Sequence, residues 1–490
     1  MVLEAAGVRV PLDDRQKQKV QRFFPPLVLQ EAVHQFCNER LSRRATDAPT
    51  NPNQDTEEKF RTFVNKLAHI CDYRPHGDTI TALTVLQNND KVLYVFVSNN
   101  RERKNLNKTK QEITGLLTIL KDNYEPESRV TDQALYKKLL GQVLILTTVR
   151  VQGYLSDLSD KIAKCIKDFR EEKSDADKKV IDSLDKLLKM IPKTQMGGQK
   201  SKRFISSTME CIQLIHNYRN SPLQTTIEKR AANAKRLGTE NSSCWSALQH
   251  VFGRLLSYRY DVETLISAHY IWEDDNLFRD FEVDFLESSG LYPGAALRCT
   301  PEKPETIIGR IPNASPEQRE SLKRSFNEFR TSDQTSNLDE ALKEQWETVQ
   351  SRSPRVHAEM LLHDWLTRTG GVQAHRFFGN YRYIGTSKPL CRLCQYYFDI
   401  IATPVRFRDG HPNTYLNWRQ PDLYASSGDS EVVEEAKRVW REIMDQLKAR
   451  VYADLRRLLV EKATDKKQND SNTFTDRITL DGLFMDLRLE

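Results

Sequence analysis

The sequence predicts an α/β protein whose single sheet-bearing core is divided by a long helical insertion. Three observations carry this. The stretch from Thr79 to Asn99 is β-rich, two apolar runs joined by Asn88-Asn89-Asp90, a turn signal. The stretch from Ser353 to Pro421 reads helix, strand, helix. Between them, residues 105–350 carry apolar stripes at helical spacing, so the insertion is expected to be all-helical.

The second stretch organises the functional reading. His357 opens an apolar-periodic segment, Met360, Leu361, Trp365 and Leu366, closed by the helix stop Gly370-Gly371. Cys391 and Cys394 open another, followed by Tyr397, Phe398 and Ile401. His-x-Glu and Cys-x-x-Cys therefore stand at two helix starts, where the helix dipole favours thiolate over thiol. One imidazole and two thiolates make three ligands for a tetrahedral Zn2+. Three protein ligands leave one position open, the arrangement of a catalytic rather than a structural site. Glu359 sits beside that position without being needed as a ligand, and is free to carry protons. Zinc base deaminases use this order of residues, H-x-E followed by P-C-x-x-C. A lone Cys-x-x-Cys also suits a redox pair or half a zinc knuckle, and specificity comes from both halves occurring together. The competing reading makes the cysteines ordinary buried residues and Glu359 a solvated first-turn acid.

These residues resemble the fungal deaminase-like proteins related to an Orientia protein, within the cytidine-deaminase superfamily. The resemblance rests on Val356-His357-Ala358-Glu359-Met360, Tyr383-Ile384-Gly385-Thr386-Ser387-Lys388, Cys391-x-x-Cys394, Gly410-His411, Trp418 and Pro421. It covers this stretch, and the rest of the chain only loosely. It implies a cytidine-deaminase-like three-layer α/β core, with zinc on His357, Cys391 and Cys394 and Glu359 as the catalytic residue. It also implies that Asn99, at the end of the hairpin strand, contacts substrate, and that His411 and Trp418 line a base pocket. Read without the resemblance, Asn99 is equally a strand-end cap, and His411 and Trp418 are loop anchors. Two departures stand out. Leu390 separates Pro389 from Cys391, where the superfamily usually has Pro-Cys directly, and Pro412 follows His411, where a glycine is expected. The first can shift the loop before the ligands and the second a substrate loop; neither removes a ligand.

In chain order, residues 1–75 form a helical N-terminal region. Val20, Phe23 and Phe24 belong to a helix expected to end at Pro25-Pro26, Leu27 to Phe36 to a second, and Phe60 to Ile70 to a third. Residues 76–104 are the first half of the core. Val92 to Val97 is nearly all apolar, as in a strand buried on both faces. The rival hairpin at 291–310 is broken by Pro293, Pro301 and Pro304. The hairpin at 79–99 is thus expected in one sheet with Tyr383–Thr386. Residues 105–350 are the insertion; Gly197-Gly198-Gln199-Lys200-Ser201 within it lacks the Gly-Lys of a phosphate loop. Residues 351–428 are the zinc-binding half. Residues 429–465 form one long amphipathic helix, with Trp440, Ile443, Leu447, Val451, Leu455 and Leu458 on its stripe and Val439 counted with them. Residues 466–490 are the tail, with a polar stretch from Thr464 to Asn472 and an apolar one from Leu480 to Leu489.

Length alone, 490 residues, allows two to four domains. A net charge of +6 spread over that length permits nucleic-acid contact without arguing for it. Mean hydropathy is −0.63 and the best apolar run, Val143–Leu146, is far too short to span a bilayer. Of the eight cysteines only Cys391 and Cys394 are close in sequence, which is no disulfide framework. With no apolar leader after Met1, a cytoplasmic or nuclear protein without signal peptide or membrane contact is expected. The sequence therefore reads as a zinc-dependent hydrolytic deaminase acting on a nucleobase in a nucleotide or nucleic acid. The alternative is a catalytically silent deaminase-fold protein, with the helical insertion binding protein partners.

Overall fold

A computed structural model describes residues 7–35, 38–40, 55–75, 77–88, 91–172, 178–192, 202–237, 239, 243–290, 299–331, 337–351 and 353–465. The expected tail at 466–490, Cys37, the turn residues Asn89-Asp90 and the first part of the rival hairpin lie outside the described residues. The chain begins with β1 (Val8–Val10), α1 (Asp14–His34), β2 (Asn38–Arg40), α2 (Thr56–Cys71), β3 (Thr81–Asn88) and β4 (Lys91–Ser98). Among the described residues there follow α3 (Arg103–Asp122), α4 (Asp132–Leu146), α5 (Thr148–Glu172), α6 (Lys178–Met190), α7 (Lys202–Asn217), α8 (Pro222–Arg236) and α9 (Cys244–Ile271). Then come β5 (Phe281–Phe285), α10 (Pro304–Gly309), α11 (Pro316–Thr331), α12 (Leu338–Ser351) and α13 (Ala358–Arg368). The last elements are β6 (Tyr383–Thr386), α14 (Arg392–Ile401), β7 (Arg406–Phe407), β8 (Leu423–Ala425), α15 (Ser430–Glu461) and β9 (Ala463–Asp465). The protein is a mixed α/β chain, and among the described residues no helix is long and apolar enough to cross a membrane.

Two compact units emerge, each assembled from separate stretches. One comprises Met1–Arg44, Ser288–Ala374 and Pro389–Gln468. Its core is α1 packed against α15 and α12. α1 starts at a capping box, in which Asp13 accepts from the Gln16 N–H and Gln16 from the Asp13 N–H. The helix then runs unbroken through Pro25 and Pro26, which corrects the expected break. Each proline removes an i→i−4 hydrogen bond at a cost of about 3 kcal/mol or more in a helix interior. The flanking Phe23, Phe24, Leu27 and Val28 are all fully buried, and each such side chain returns roughly 1.5–3 kcal/mol. The Gln21 carbonyl, which Pro25 cannot reach as a donor, faces the Cys299 thiol at 4.0 Å. On α15 the buried face is Trp440, Met444, Leu447, Val451, Leu455 and Leu458, one helical stripe, whereas Val439 is 42% exposed. β1 pairs antiparallel with β8 and β2 parallel with β9.

The other unit comprises Ala45–Glu287 and His375–Lys388. β3 and β4 form the expected hairpin, from Thr81 opposite Ser98 to Asn88 opposite Lys91. β6 adds antiparallel to β3, with Ala82 opposite Thr386 and Leu83 opposite Gly385. The hairpin and Tyr383–Thr386 thus share a sheet across some three hundred positions of sequence, as the strand shortage near the second stretch predicted (Thr84 Oγ1 bonds the Tyr383 carbonyl across |i−j| = 299). β5 adds parallel to β4, Val92 opposite Phe281 through Phe96 opposite Phe285. The insertion is therefore not all-helical. Its strand alternates Phe281, Val283 and Phe285 with acids, a period of two that the run of helical stripes around it obscured.

α2 lies directly on β6. A Cβ on Gly385 would meet Val64 Cγ1 at 2.6 Å and Asn65 Oδ1 at 2.9 Å, so only glycine permits this approach. Asn65 Oδ1 there accepts from the Thr386 N–H and the Tyr383 hydroxyl, both at 3.0 Å. The helices α2, α4, α5, α7 and α8 pack on the largely buried α9. Their buried charges are paired: Arg150 bonds Asp72 at 2.6 Å, and Arg259 bonds Glu263 at 2.6 Å and Gln213 at 2.7 Å.

Candidate metal centre

The unit built on α1 and α15 also holds the motif residues. His357 is the N-cap of α13 and Cys391 the N-cap of α14. Both helix starts aim their side chains at one point. His357 Nδ1 lies 3.5 Å from Cys391 Sγ and 3.3 Å from Cys394 Sγ. Tetrahedral zinc with Zn–N near 2.0 Å and Zn–S near 2.3 Å demands a nitrogen–sulfur edge of about 3.6 Å. The donors are buried and all within 4.8 Å of one another, and both cysteines are free thiols. The donor set therefore fits a divalent zinc ion and can bind metal.

The electrostatics match. Burial opposes ionisation of the Cys391 thiol, but hydrogen bonding from Cys394 and the neighbouring imidazole outweigh it and hold its pKa well below the ordinary value. The Cys394 thiol is pushed up, by burial first and then by the anionic Cys391. Burial disfavours the His357 imidazolium, yet the Cys391 thiolate more than compensates and raises its pKa. Glu359, 4% exposed, has a carboxylate oxygen 3.9 Å from His357 Nδ1. Burial raises its pKa against the pull of His357. A carboxyl poised upward is the property general acid–base catalysis requires near neutral pH.

His411 and Trp418 lie in the same unit, on the loop between β7 and β8. The His411 backbone N–H donates to the Leu390 carbonyl at 2.8 Å, tying this loop to the residue before Cys391. His411 Nδ1 accepts from the Asn413 N–H at 3.2 Å, which places the ring proton on Nε2. Trp418 is fully buried, and its indole N–H donates to Cys394 Sγ at 3.3 Å. It holds the loop to a ligand with its edge. Asn99 belongs to the other unit, where its side-chain amide donates to the Gly77 carbonyl at 3.3 Å and its backbone N–H to the Ile80 carbonyl at 3.0 Å. His363, six residues after His357, instead meets Thr403 Oγ1 at 2.7 Å.

The sequence reading missed two neighbours of the centre. Tyr415 places its half-buried ring 6.1 Å from the His357 ring and 6.0 Å from the His411 ring. An aromatic four residues after His411 in a polar loop was the available signal. Glu31 of α1 accepts from Thr414 Oγ1 in the same loop, a contact across |i−j| = 383 that no local pattern announces.

A family model for an OTT_1508_deam-like deaminase matches residues 356–422. That segment is deaminase-like. It begins one residue before His357 and takes in Glu359, both cysteines, His411, Tyr415 and Trp418, so the deaminase-like segment contains every residue of the centre described above except those supplied by α1. No curated protein and no solved structure matches the chain.

Proposed function

We propose that the protein is a zinc-dependent hydrolytic deaminase acting on a nucleobase in a nucleotide or nucleic acid. The observation that carries the reading is the convergence of His357 Nδ1, Cys391 Sγ and Cys394 Sγ at zinc-ligand spacing beside a buried, non-ligating Glu359. Bound zinc supplies a hydroxide equivalent near neutral pH by lowering the pKa of water from 15.7 to about 7. The remaining work falls to the chain. Glu359 takes one proton on its carboxylate and gives it to the ring nitrogen, then takes a second from the hydroxyl formed on the attacked carbon and gives it to the departing amine as the C–N bond breaks. Its raised pKa makes the protonated form accessible, and its burial keeps bulk water from short-circuiting the transfer. Tyr415 lies against the imidazole ligand and His411 against Tyr415, so an aromatic ring borders the centre where a flat heterocycle would stack. The mild charge of +6 suits a phosphate-bearing substrate of either size.

The test compares wild type with Glu359→Gln on a panel of nucleosides, nucleotides and single-stranded nucleic acids, read by ammonia release and product mass. The variant keeps zinc content and melting temperature, because Gln has nearly the same shape and Glu359 is not a ligand. Its turnover falls by roughly 10²–10⁴-fold or more, the usual worth of general acid–base catalysis. A variant as active as wild type would remove the enzyme reading and favour a protein-binding scaffold.

A further inference from the structure

We propose that Trp418 is a positioning residue of the metal centre, its indole N–H fixing the sulfur of Cys394 and coupling the 411–418 loop to the bound ion. This rests on the zinc reading above. The two sulfurs are served differently. Cys391 Sγ accepts from the Cys394 backbone N–H at 3.5 Å, a contact within one helical turn. Cys394 Sγ accepts from Trp418 Nε1 at 3.3 Å, a contact from 24 residues away. A buried indole N–H left without an acceptor is costly, and a thiolate is a charge-assisted acceptor, so the contact strengthens when the sulfur is ionised by metal.

Trp418 is held independently of the sulfur. Its neighbours exchange backbone hydrogen bonds with the residue two before His357: Arg355 N–H to the Asn417 carbonyl at 2.6 Å, and Arg419 N–H to the Arg355 carbonyl at 2.9 Å. Phe23 of α1 packs on its ring at 5.7 Å between centroids. The segment leading into one ligand and the donor to another are therefore braced as one piece. A donor so held directs the Cys394 lone pairs and withdraws charge from the sulfur. Groups beyond the ligands that orient them are typically worth 10–100-fold in metal affinity.

The experiment needs no substrate. Zinc is removed by chelation from the full chain and returned as zinc or cobalt(II), for wild type, for Trp418→Phe, and for a protein carrying benzothienylalanine at position 418. The last keeps the bicyclic shape and replaces only the N–H by sulfur. Both altered proteins are expected to bind zinc roughly 10–100-fold more weakly, and the thiolate-to-cobalt charge-transfer band moves to lower energy because the sulfur holds its electrons less tightly. Wild-type affinity and an unmoved band in the benzothienylalanine protein would overturn the inference, including where Trp418→Phe alone is weakened, since that result assigns the effect to packing. A wild type that takes up neither metal would instead remove the zinc reading itself.

Discussion

His363 makes acid sensitivity a quantitative property of this fold. It is 7% exposed, sits between Phe398 and Phe407, and uses Nε2 against Thr403. Burial lowers its pKa from 6.5 to about 4. A depressed pKa means that the unfolded chain binds the proton more readily, so the contribution to stability is complete above pH 6.5 and is lost as pH falls toward 4. At about 1.4 kcal/mol per pH unit, the loss by pH 4 is about 3 kcal/mol. The perturbation is His363→Gln, whose amide reaches Thr403 from nearly the Nε2 position and carries no titrating group. Urea unfolding at pH 7 and pH 4, followed by tryptophan fluorescence, isolates the effect. Trp346, Trp365, Trp418 and Trp440, four of the six tryptophans, belong to the same unit as His363. His250 and His269, also lowered to about 4 by burial, lie in the other unit and titrate identically in both proteins. Wild type is expected to lose about 3 kcal/mol more than the variant between the two pH values. Parallel acid limbs would refute the assignment.

Two further outcomes test the site and the sheet. Cys391→Ser combined with Cys394→Ser abolishes zinc retention by elemental analysis, while the same pair of changes at Cys165 and Cys211, buried thiols of the other unit, leaves the metal content unchanged. Gly385→Ala drives a methyl into Val64 Cγ1 at 2.6 Å and into the Asn65 side chain, and is expected to lower stability by about 1–3 kcal/mol, measured by thermal melting. A neutral substitution there would show that α2 lies less tightly on β6 than its hydrogen bonds require.

The ligands were legible because each pair is local. Helix starts at His357 and Cys391 follow from periodicity and stop signals a few residues long, and the chemistry of an imidazole and two thiolates does the rest. The sharing of a sheet by 79–99 and 383–386 was legible by elimination, since the later stretch lacked strands. What escaped was decided by distant packing. Pro25-Pro26 reads as a break until the burial of Phe23, Phe24, Leu27 and Val28 is counted. β5 is five residues long and sits among helices, so its alternation had no length to stand out. The loop sequence singled out the aromatic at 418, but that its N–H meets the Cys394 sulfur depends on α1 and on Arg355, neither of which the loop specifies.

The pairing of α1 with α15 sets a timetable for the chain as it leaves the ribosome. Lys19 on α1 finds Asp445 across |i−j| = 426, and the apolar face of α1 is covered by that same distant helix. At about 5–20 residues per second, some 20–80 s of synthesis separate the emergence of the two. Over that interval the sheet strands β3 to β5 and the helices from α2 to α9 have all emerged and can condense, while Phe23, Phe24, Leu27 and Val28 wait first for α10 and α12 and last for α15. Cys391 and Cys394 arrive before α15 as well, so the metal ligands come together on a unit still missing its longest helix. Any metal held by His357, Cys391 and Cys394 is thereby captured late in synthesis, after most of the other unit has emerged.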